Sequence, residues 1–274
     1  MISDGSSLIK NTLARYLPAS ARNKILGPYR YWRANSDLLR LDLIRDASLD
    51  ELRDPFFLED IIAELGLYPA QGNWMKDFPK HLWRYCGNGL RIWQYPNQFS
   101  KYLAMLADYR ISTYLEIGLA NGGTFLTTVE YLKMFNPEVK AWGVDPRDSQ
   151  LVKVYIEANN SCRYIEDFAK NLGRYVDLDD IFFDLVLIDG DHVGEAPLND
   201  FHIIKDRAGL VAFHDIVDGH NLDVSKCWMK IREMYNNDYD FIEFTDQYEE
   251  VVRNEGHKLM GIGIAIKKWT RNYL

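Results

Sequence analysis

From residue 111 onward, short apolar runs alternate with longer amphipathic ones. Runs rich in β-branched and aromatic residues predict strands near 112–117, 140–144, 162–165, 182–188, 208–213, 239–244 and 259–266. Between them, apolar positions recur at helical spacing and predict helices near 122–135, 149–158, 168–175, 195–206 and 223–236. Strands alternating with helices predict an α/β protein with a mainly parallel sheet wrapped by helices. In such sheets ligands bind beyond the carboxyl ends of the strands. Upstream, residues 37–67 read as mostly helix, with Ser48-Leu49-Asp50-Glu51 as a helix start. Residues 68–90 are punctuated by proline and glycine, and Trp74 and Trp83 are expected to anchor them. We place a boundary near 88, giving a helical N-terminal extension (1–87) and an α/β domain (88–274) that begins with a helix from Asn97 to Tyr109. No internal repeat or low-complexity stretch interrupts the chain.

The stretch Tyr114-Leu115-Glu116-Ile117-Gly118-Leu119-Ala120-Asn121-Gly122-Gly123-Thr124 joins the first predicted strand to the first helix of this domain. Its glycines allow a sharp bend and a close approach of backbone to ligand. The helix start beyond them suits a carboxylate or phosphate. The spacing is Gly-x-x-x-Gly-Gly, not the Gly-x-Gly-x-x-Gly of dinucleotide binders. Asp145 ends the next apolar run, at roughly the ~20-residue interval of a ribose-binding acid. A ligand with a ribose but no pyrophosphate is the expectation; a purely structural turn is the alternative.

Composition narrows the function classes. A chain of 274 residues with 47% hydrophobic residues is long enough for one large domain with an appendage. Its net charge of −8 speaks against a dedicated nucleic-acid binder. Cys86, Cys162 and Cys227 are far apart and fit neither a disulfide framework nor a zinc motif, as expected of a reduced, cytoplasmic protein. No apolar run approaches a membrane span, and no secretory signal is visible. Residues 5–36 nevertheless hold six basic residues and no acid, interleaved with apolar ones. Such a segment either touches an anionic membrane surface or packs on the main domain or a partner subunit. We favour packing, because Pro18 and Pro28 are expected to break the helix.

Glu116-Ile117-Gly118 with Gly122-Gly123-Thr124 resembles the cofactor loop of class I S-adenosylmethionine (SAM) dependent methyltransferases. Three later segments strengthen the resemblance: Val186-Leu187-Ile188-Asp189-Gly190-Asp191-His192, Gly209-Leu210-Val211-Ala212-Phe213-His214-Asp215 and Gly261-Ile262-Gly263-Ile264. Together they are similar to a branch containing metal-dependent sugar O-methyltransferases, such as macrocin O-methyltransferase, and cephalosporin hydroxylase-like proteins. The resemblance covers roughly residues 88–268. It implies a Rossmann-like class I methyltransferase fold with seven strands, the last two antiparallel, and helices on both faces.

The resemblance also implies roles. Glu116, Gly118, Asn121, Gly122, Gly123 and Thr124 would form the SAM loop, with Glu116 and Gly118 facing the methionine end. Asp145 would hold the ribose, and Asp167 and Phe168 would lie by the adenine. Asp189, His214 and Asp215 would hold a divalent cation, Mg²⁺ or Mn²⁺ with Fe²⁺ as a further candidate. His192 would be the general base, with Asp189 and Asp191 beside it as catalytic candidates. The sugar enzymes carry an acid where this chain has His214, and imidazole favours softer ions than Mg²⁺. The implied reaction is O-methylation of a sugar or glycosylated metabolite by a homo-oligomeric enzyme. Two other readings fit the same residues: a cephalosporin hydroxylase-like oxygenase, and a non-catalytic SAM-fold binding module. His220 lies on the loop after Asp215, either exposed or touching substrate, and His81, His202 and His257 belong to no motif.

Overall fold

The computed structural model describes residues 19–69, 73–175, 178 and 180–268. Seven strands form one sheet: β1 (Thr113–Ile117), β2 (Lys140–Val144), β3 (Cys162–Ile165), β4 (Phe183–Ile188), β5 (Ala208–Phe213), β6 (Tyr239–Phe244) and β7 (Ile262–Lys267). Their order is β3-β2-β1-β4-β5-β7-β6. The first five run parallel, and β7 slots antiparallel between β5 and β6. This is the Rossmann-like α/β fold that the resemblance implies. The last strand starts later than the predicted 259, because Met260 (φ 59°) and Gly261 (φ 94°) turn the chain into left-handed backbone first.

The helices are α1 (Ala19–Leu38), α2 (Asp42–Arg45), α3 (Pro55–Leu65), α4 (Pro96–Leu106), α5 (Gly123–Phe135), α6 (Gln150–Glu157), α7 (Ala196–Ile204), α8 (Leu222–Met234) and α9 (Glu249–Glu255). Period-2 alternation along the strands feeds two cores. Tyr114, Leu185, Leu187, Leu210, Ala212 and Ile264 face one side, where residues of α3, α4 and α5 cover them. Leu115, Val186, Ile188, Val211, Phe213 and Ala265 face the other, under α7 and α8. Central strands buried on both faces must be apolar throughout, which is why β4 and β5 read as continuous hydrophobic runs. Each fully buried Leu or Phe contributes roughly 1.5–3 kcal/mol.

The N-terminal segment shares the first of these cores, with Leu41, Leu52, Leu58 and Ile62 buried in it. Ser48 and Glu51 cap each other: Ser48 N–H donates to Glu51 Oε2 at 2.8 Å and Glu51 N–H to Ser48 Oγ at 3.3 Å. Asp54 then caps α3, accepting from Phe56 N–H at 2.9 Å, with Pro55 at the first helical position.

Three expectations are corrected. Pro28 does not break the helix, since α1 runs through it from Ala19 to Leu38. A proline there removes one hydrogen bond, but α1 docks along α6 and Tyr31 Oη donates to Glu157 Oε2 at 3.1 Å. Residues 5–18 of the basic segment, including Pro18, lie outside the described residues. Trp74 and Trp83 do not anchor their region; they are 53% and 38% exposed, while Phe78, Leu82 and Tyr95 fill the core there. The predicted helix at 168–175 is a short 3-10 turn, Ala169–Arg174. Among the described residues no helix is long and apolar enough to cross a membrane.

Candidate functional site

Strand order reverses between β1 and β4, and a crevice opens beyond their carboxyl ends. The chain comes very close there. Gly118 has φ 86°, and a Cβ on it would sit 2.0 Å from the carbonyl oxygen of Asp189. Asp189 N–H in turn donates to Ile117 O at 2.8 Å. Glycine is therefore required where the first loop crosses the end of β4.

A cleft of about 480 Å³ opens from this point. Gly118, Asp145, Arg147, Asp167, Phe168 and Asp200 contribute to its walls. Asp145, 1% exposed, latches the loop after β1: its Oδ2 accepts from the N–H groups of Leu119 and Ala120, both at 2.9 Å. Arg147 donates to both of its oxygens, through Nε at 3.1 Å and Nη2 at 3.0 Å. Burial works against the Asp145 charge, but Arg147 and the backbone N–H groups outweigh it and lower its pKa. Phe168 is 55% exposed on the cleft wall, with Lys170 Nζ 5.2 Å from its ring centroid.

The expected loop residues divide. Gly118, Asp145, Asp167 and Phe168 meet at the cleft, whereas Glu116, Asn121, Gly122, Gly123 and Thr124 do not line it. Gly122 and Gly123 instead permit tight packing, since added Cβ atoms would lie 2.2 Å from Val152 Cγ2 and 2.4 Å from Leu90 O. Thr124 is buried, and Asn121 accepts from Ser149 Oγ through its carbonyl at 2.8 Å. Glu116 points to the other face of the sheet, where the Tyr114 hydroxyl donates to it. Burial raises its carboxyl pKa well above the ordinary value.

The ends of β4 and β5, paired through Ile188 and Phe213, carry the second half of the site. Asp189, His192 and Asp215 offer ligand atoms that all lie within 4.8 Å of one another. His192 Nε2 is 3.3 Å from Asp189 Oδ1, and its Nδ1 is 3.3 Å from Asp215 Oδ2. His214 is more deeply buried, at 2%, and its Nδ1 lies 3.2 Å from Asp189 Oδ1 and 3.1 Å from Asp215 Oδ1. It reaches both carboxylates, in the place where a third ligand was expected. Asp215 has φ 60°, a left-handed conformation that aspartate tolerates better than most residues. Asp191 stands apart: it is exposed, caps a turn by accepting from Val193 N–H at 3.1 Å, and lines the cleft.

The electrostatics are those of two acids held by two imidazoles. Burial opposes charge on all four groups. Around Asp189 the histidines outweigh burial and hold its carboxyl well below the usual range. Burial dominates at Asp215 and raises it to about 6. Asp215 and Asp189 overcome burial at His214 and raise it to about 9, and Asp189 does the same in direction for His192. Asp215 Oδ1 and His214 Nε2 are buried without a hydrogen-bond partner. Two anionic oxygens, an imidazole and an unsatisfied carboxylate oxygen fit a divalent cation.

Several wall residues escaped the sequence reading. Gln94, 1% exposed, reaches in from the N-terminal side, its Nε2 3.4 Å from Asp189 Oδ2. Ala196, Asn199, Asp200 and Ile203 line the cleft from α7. Their spacing of three, one and three is a helical face, a signal present in the sequence. Trp74, Trp93 and Tyr68 form an aromatic ridge ending on His220, with ring centroids 3.8 Å (Tyr68–Trp93), 5.8 Å (Trp74–Trp93) and 6.4 Å (Trp74–His220) apart.

No protein-family model and no curated protein matches the sequence. Among solved structures, the chain is similar to the O-methyltransferase TomG from Streptomyces achromogenes in complex with SAM, at 17% identity over 65% of this chain and 82% of that one, TM-score 0.47. It is also similar to an O-methyltransferase from Bacillus cereus in complex with SAH (13% identity, 62% and 80% covered, TM-score 0.47). A third is the SAH-bound Podospora anserina methyltransferase PaMTH1 (13%, 64% and 80%, TM-score 0.46).

Proposed function

We propose that this protein is a SAM-dependent O-methyltransferase that methylates a hydroxyl of a sugar or glycosylated metabolite, assisted by a divalent cation. One observation carries the reading. The nucleoside-sized cleft at the β1/β4 crevice and the carboxylate–imidazole cluster share the end of β4, so residues that would hold a cofactor and residues that would hold a cation adjoin at Asp189 and Gly190. When bound, SAM supplies an electrophilic methyl group and the cation lowers the pKa of the acceptor hydroxyl. Asp145 would take the ribose hydroxyls once Arg147 swings away from it, and Phe168 would stack on the adenine. Asp189 and Asp215 would hold the cation while His214 hydrogen-bonds Asp189 and lies 3.1 Å from Asp215. His192 would accept the hydroxyl proton as the C–O bond forms and the C–S bond breaks. Its raised pKa comes from those two carboxylates, so a cation neutralising them brings it back towards the range of a base at neutral pH. Aligning the reactants supplies up to roughly 7–11 kcal/mol. The aromatic ridge of Tyr68, Trp93 and Trp74, next to Gln94, supports a sugar acceptor because flat ring faces suit the C–H faces of a pyranose.

The test is calorimetric titration of chelator-treated protein with SAM, repeated with Mn²⁺. Micromolar binding that Asp145→Ala abolishes is expected. Absence of SAM binding under every condition would remove the reading. A second reading rests on the pairing of two imidazoles with two carboxylates, a donor set that also suits Fe²⁺ in an oxygenase. The two part on products: methyl transfer without oxygen, or oxygen consumption without methyl transfer.

A further inference from the structure

A second cluster lies on the far side of the loop that follows β5. Asp77 ends the 3-10 turn Asn73–Asp77, His220 sits between β5 and α8, and Glu255 is the last residue of α9. These three come from segments far apart in sequence, yet their ligand atoms lie within 4.8 Å of one another. None of them belongs to the Asp189–His192–Asp215 cluster, and only His220, at the end of the aromatic ridge, has appeared above.

Two observations separate this cluster from an ordinary patch of surface charge. Asp77 is only 5% exposed, and its Oδ1 has no hydrogen-bond partner. A carboxylate oxygen buried in that state is costly unless something positive meets it. His257, two residues after Glu255, also has a buried Nε2 without a partner. Its ring packs edge-on against His220 with centroids 4.6 Å apart. The space it occupies exists because residue 219 is glycine: a Cβ there would lie 2.2 Å from the His257 ring. Asp218 holds the loop in place, accepting from His220 N–H at 2.6 Å and from Met260 N–H at 3.0 Å. Lys76 meets the cluster, its Nζ 2.5 Å from Glu255 Oε2, and its side chain is half exposed.

We propose that Asp77, His220 and Glu255, with His257 as the fourth donor, form a binding site for a first-row transition dication of the zinc type. Carboxylate oxygens and imidazole nitrogens are both zinc ligands, and two of each fill a tetrahedral shell. The ion satisfies the orphaned oxygen of Asp77 and the orphaned nitrogen of His257. It fastens residues 73–77 and α9 to the loop whose Asn221 donates to Asp215 Oδ2 at 2.6 Å. It displaces Lys76, which competes for Glu255.

The experiment uses the full-length chain carrying Asp189→Asn, which disables the first cluster. Chelator-treated protein is titrated with Zn²⁺ and, for a spectroscopic readout, with Co²⁺. One ion per chain is expected, with the visible absorption of tetrahedral Co²⁺ and a rise of about 5 °C in the unfolding midpoint at saturating Zn²⁺. Adding His220→Ala, at an exposed position that the fold tolerates, should weaken Zn²⁺ at least tenfold and remove the rise. Adding the isosteric Asp77→Asn should do the same. Lys76→Ala should tighten binding by removing the competitor. A protein that takes no Zn²⁺ in the Asp189→Asn background, or binds it unchanged after both His220→Ala and Asp77→Asn, overturns the proposal.

Discussion

Asp200 should cost the folded protein stability at neutral pH, and removing its charge should return it. Asp200 lies on α7 and faces the cleft, close enough to Gly190 that a Cβ there would be 3.3 Å from its Oδ2. Burial, with the charge of Asp191 nearby, raises its pKa from 3.8 to about 6. A carboxyl whose folded pKa exceeds its unfolded one holds its proton more tightly when folded. Its contribution is therefore favourable below the unfolded value, declines as pH rises through 4 to 6, and is a constant penalty above that window. At roughly 1.4 kcal/mol per pH unit, the shift sets an upper bound of about 3 kcal/mol. Asp200 is only partly buried, so solvent screening brings the expected figure to about 1–3 kcal/mol. Asp200→Asn keeps the shape and removes the charge. Urea unfolding of the two proteins from pH 3 to 8 should show near-equal stability at the acid end. The Asn variant should be more stable by that amount at pH 8. A difference independent of pH would refute the reasoning.

Three further outcomes follow from the site. His192→Ala should cut methyl-transfer turnover by about 10²–10⁴-fold, the range of a lost general base, while SAM affinity by calorimetry stays nearly the same; equal loss of both would make His192 structural. Gly118→Ala forces a side chain into backbone at φ 86° and against Asp189 O, so chemical denaturation should show a loss of about 2 kcal/mol or more. Arg147→Ala uncovers Asp145 without touching the loop latch, so SAM affinity should hold or rise; a steep fall would mean that Arg147, not Asp145, is the ribose contact.

The alternation of β-branched and amphipathic segments was enough to read all seven strands and, of the helices between them, α5, α6, α7 and α8, but not α9, and it took the 3-10 turn Ala169–Arg174 for a helix. A strand buried on both faces or a helix amphipathic on one face declares itself locally, through side-chain period. That Asp145, Asp189 and the pair His214-Asp215 stand just past strand ends was likewise legible, because each follows the last residue of an apolar run. Local reading failed where neighbours decide. Gly122 and Gly123 looked like ligand-cradling glycines, but Leu90 and Val152 are what press against them. Glu116 looked like a cofactor contact, but strand alternation sends it to the opposite face, beside Tyr114. Helix α1 tolerates Pro28 because α6 supports it.

By itself, then, the chain's sequence determined the fold class, the strand ends, and the acids and histidines that stand at them, since each depends on interactions within a few residues. Only the tertiary structure decided which of them meet. It set His192 between Asp189 and Asp215, with His214 reaching both carboxylates from a buried position, and brought Gln94 across from the segment before α4 to Asp189. It also gathered Asp77, His220 and Glu255 from three distant segments. The reason is physical: convergence of side chains is a matter of through-space packing, set by how the sheet twists and which helices cover it, and no periodicity along the chain records that.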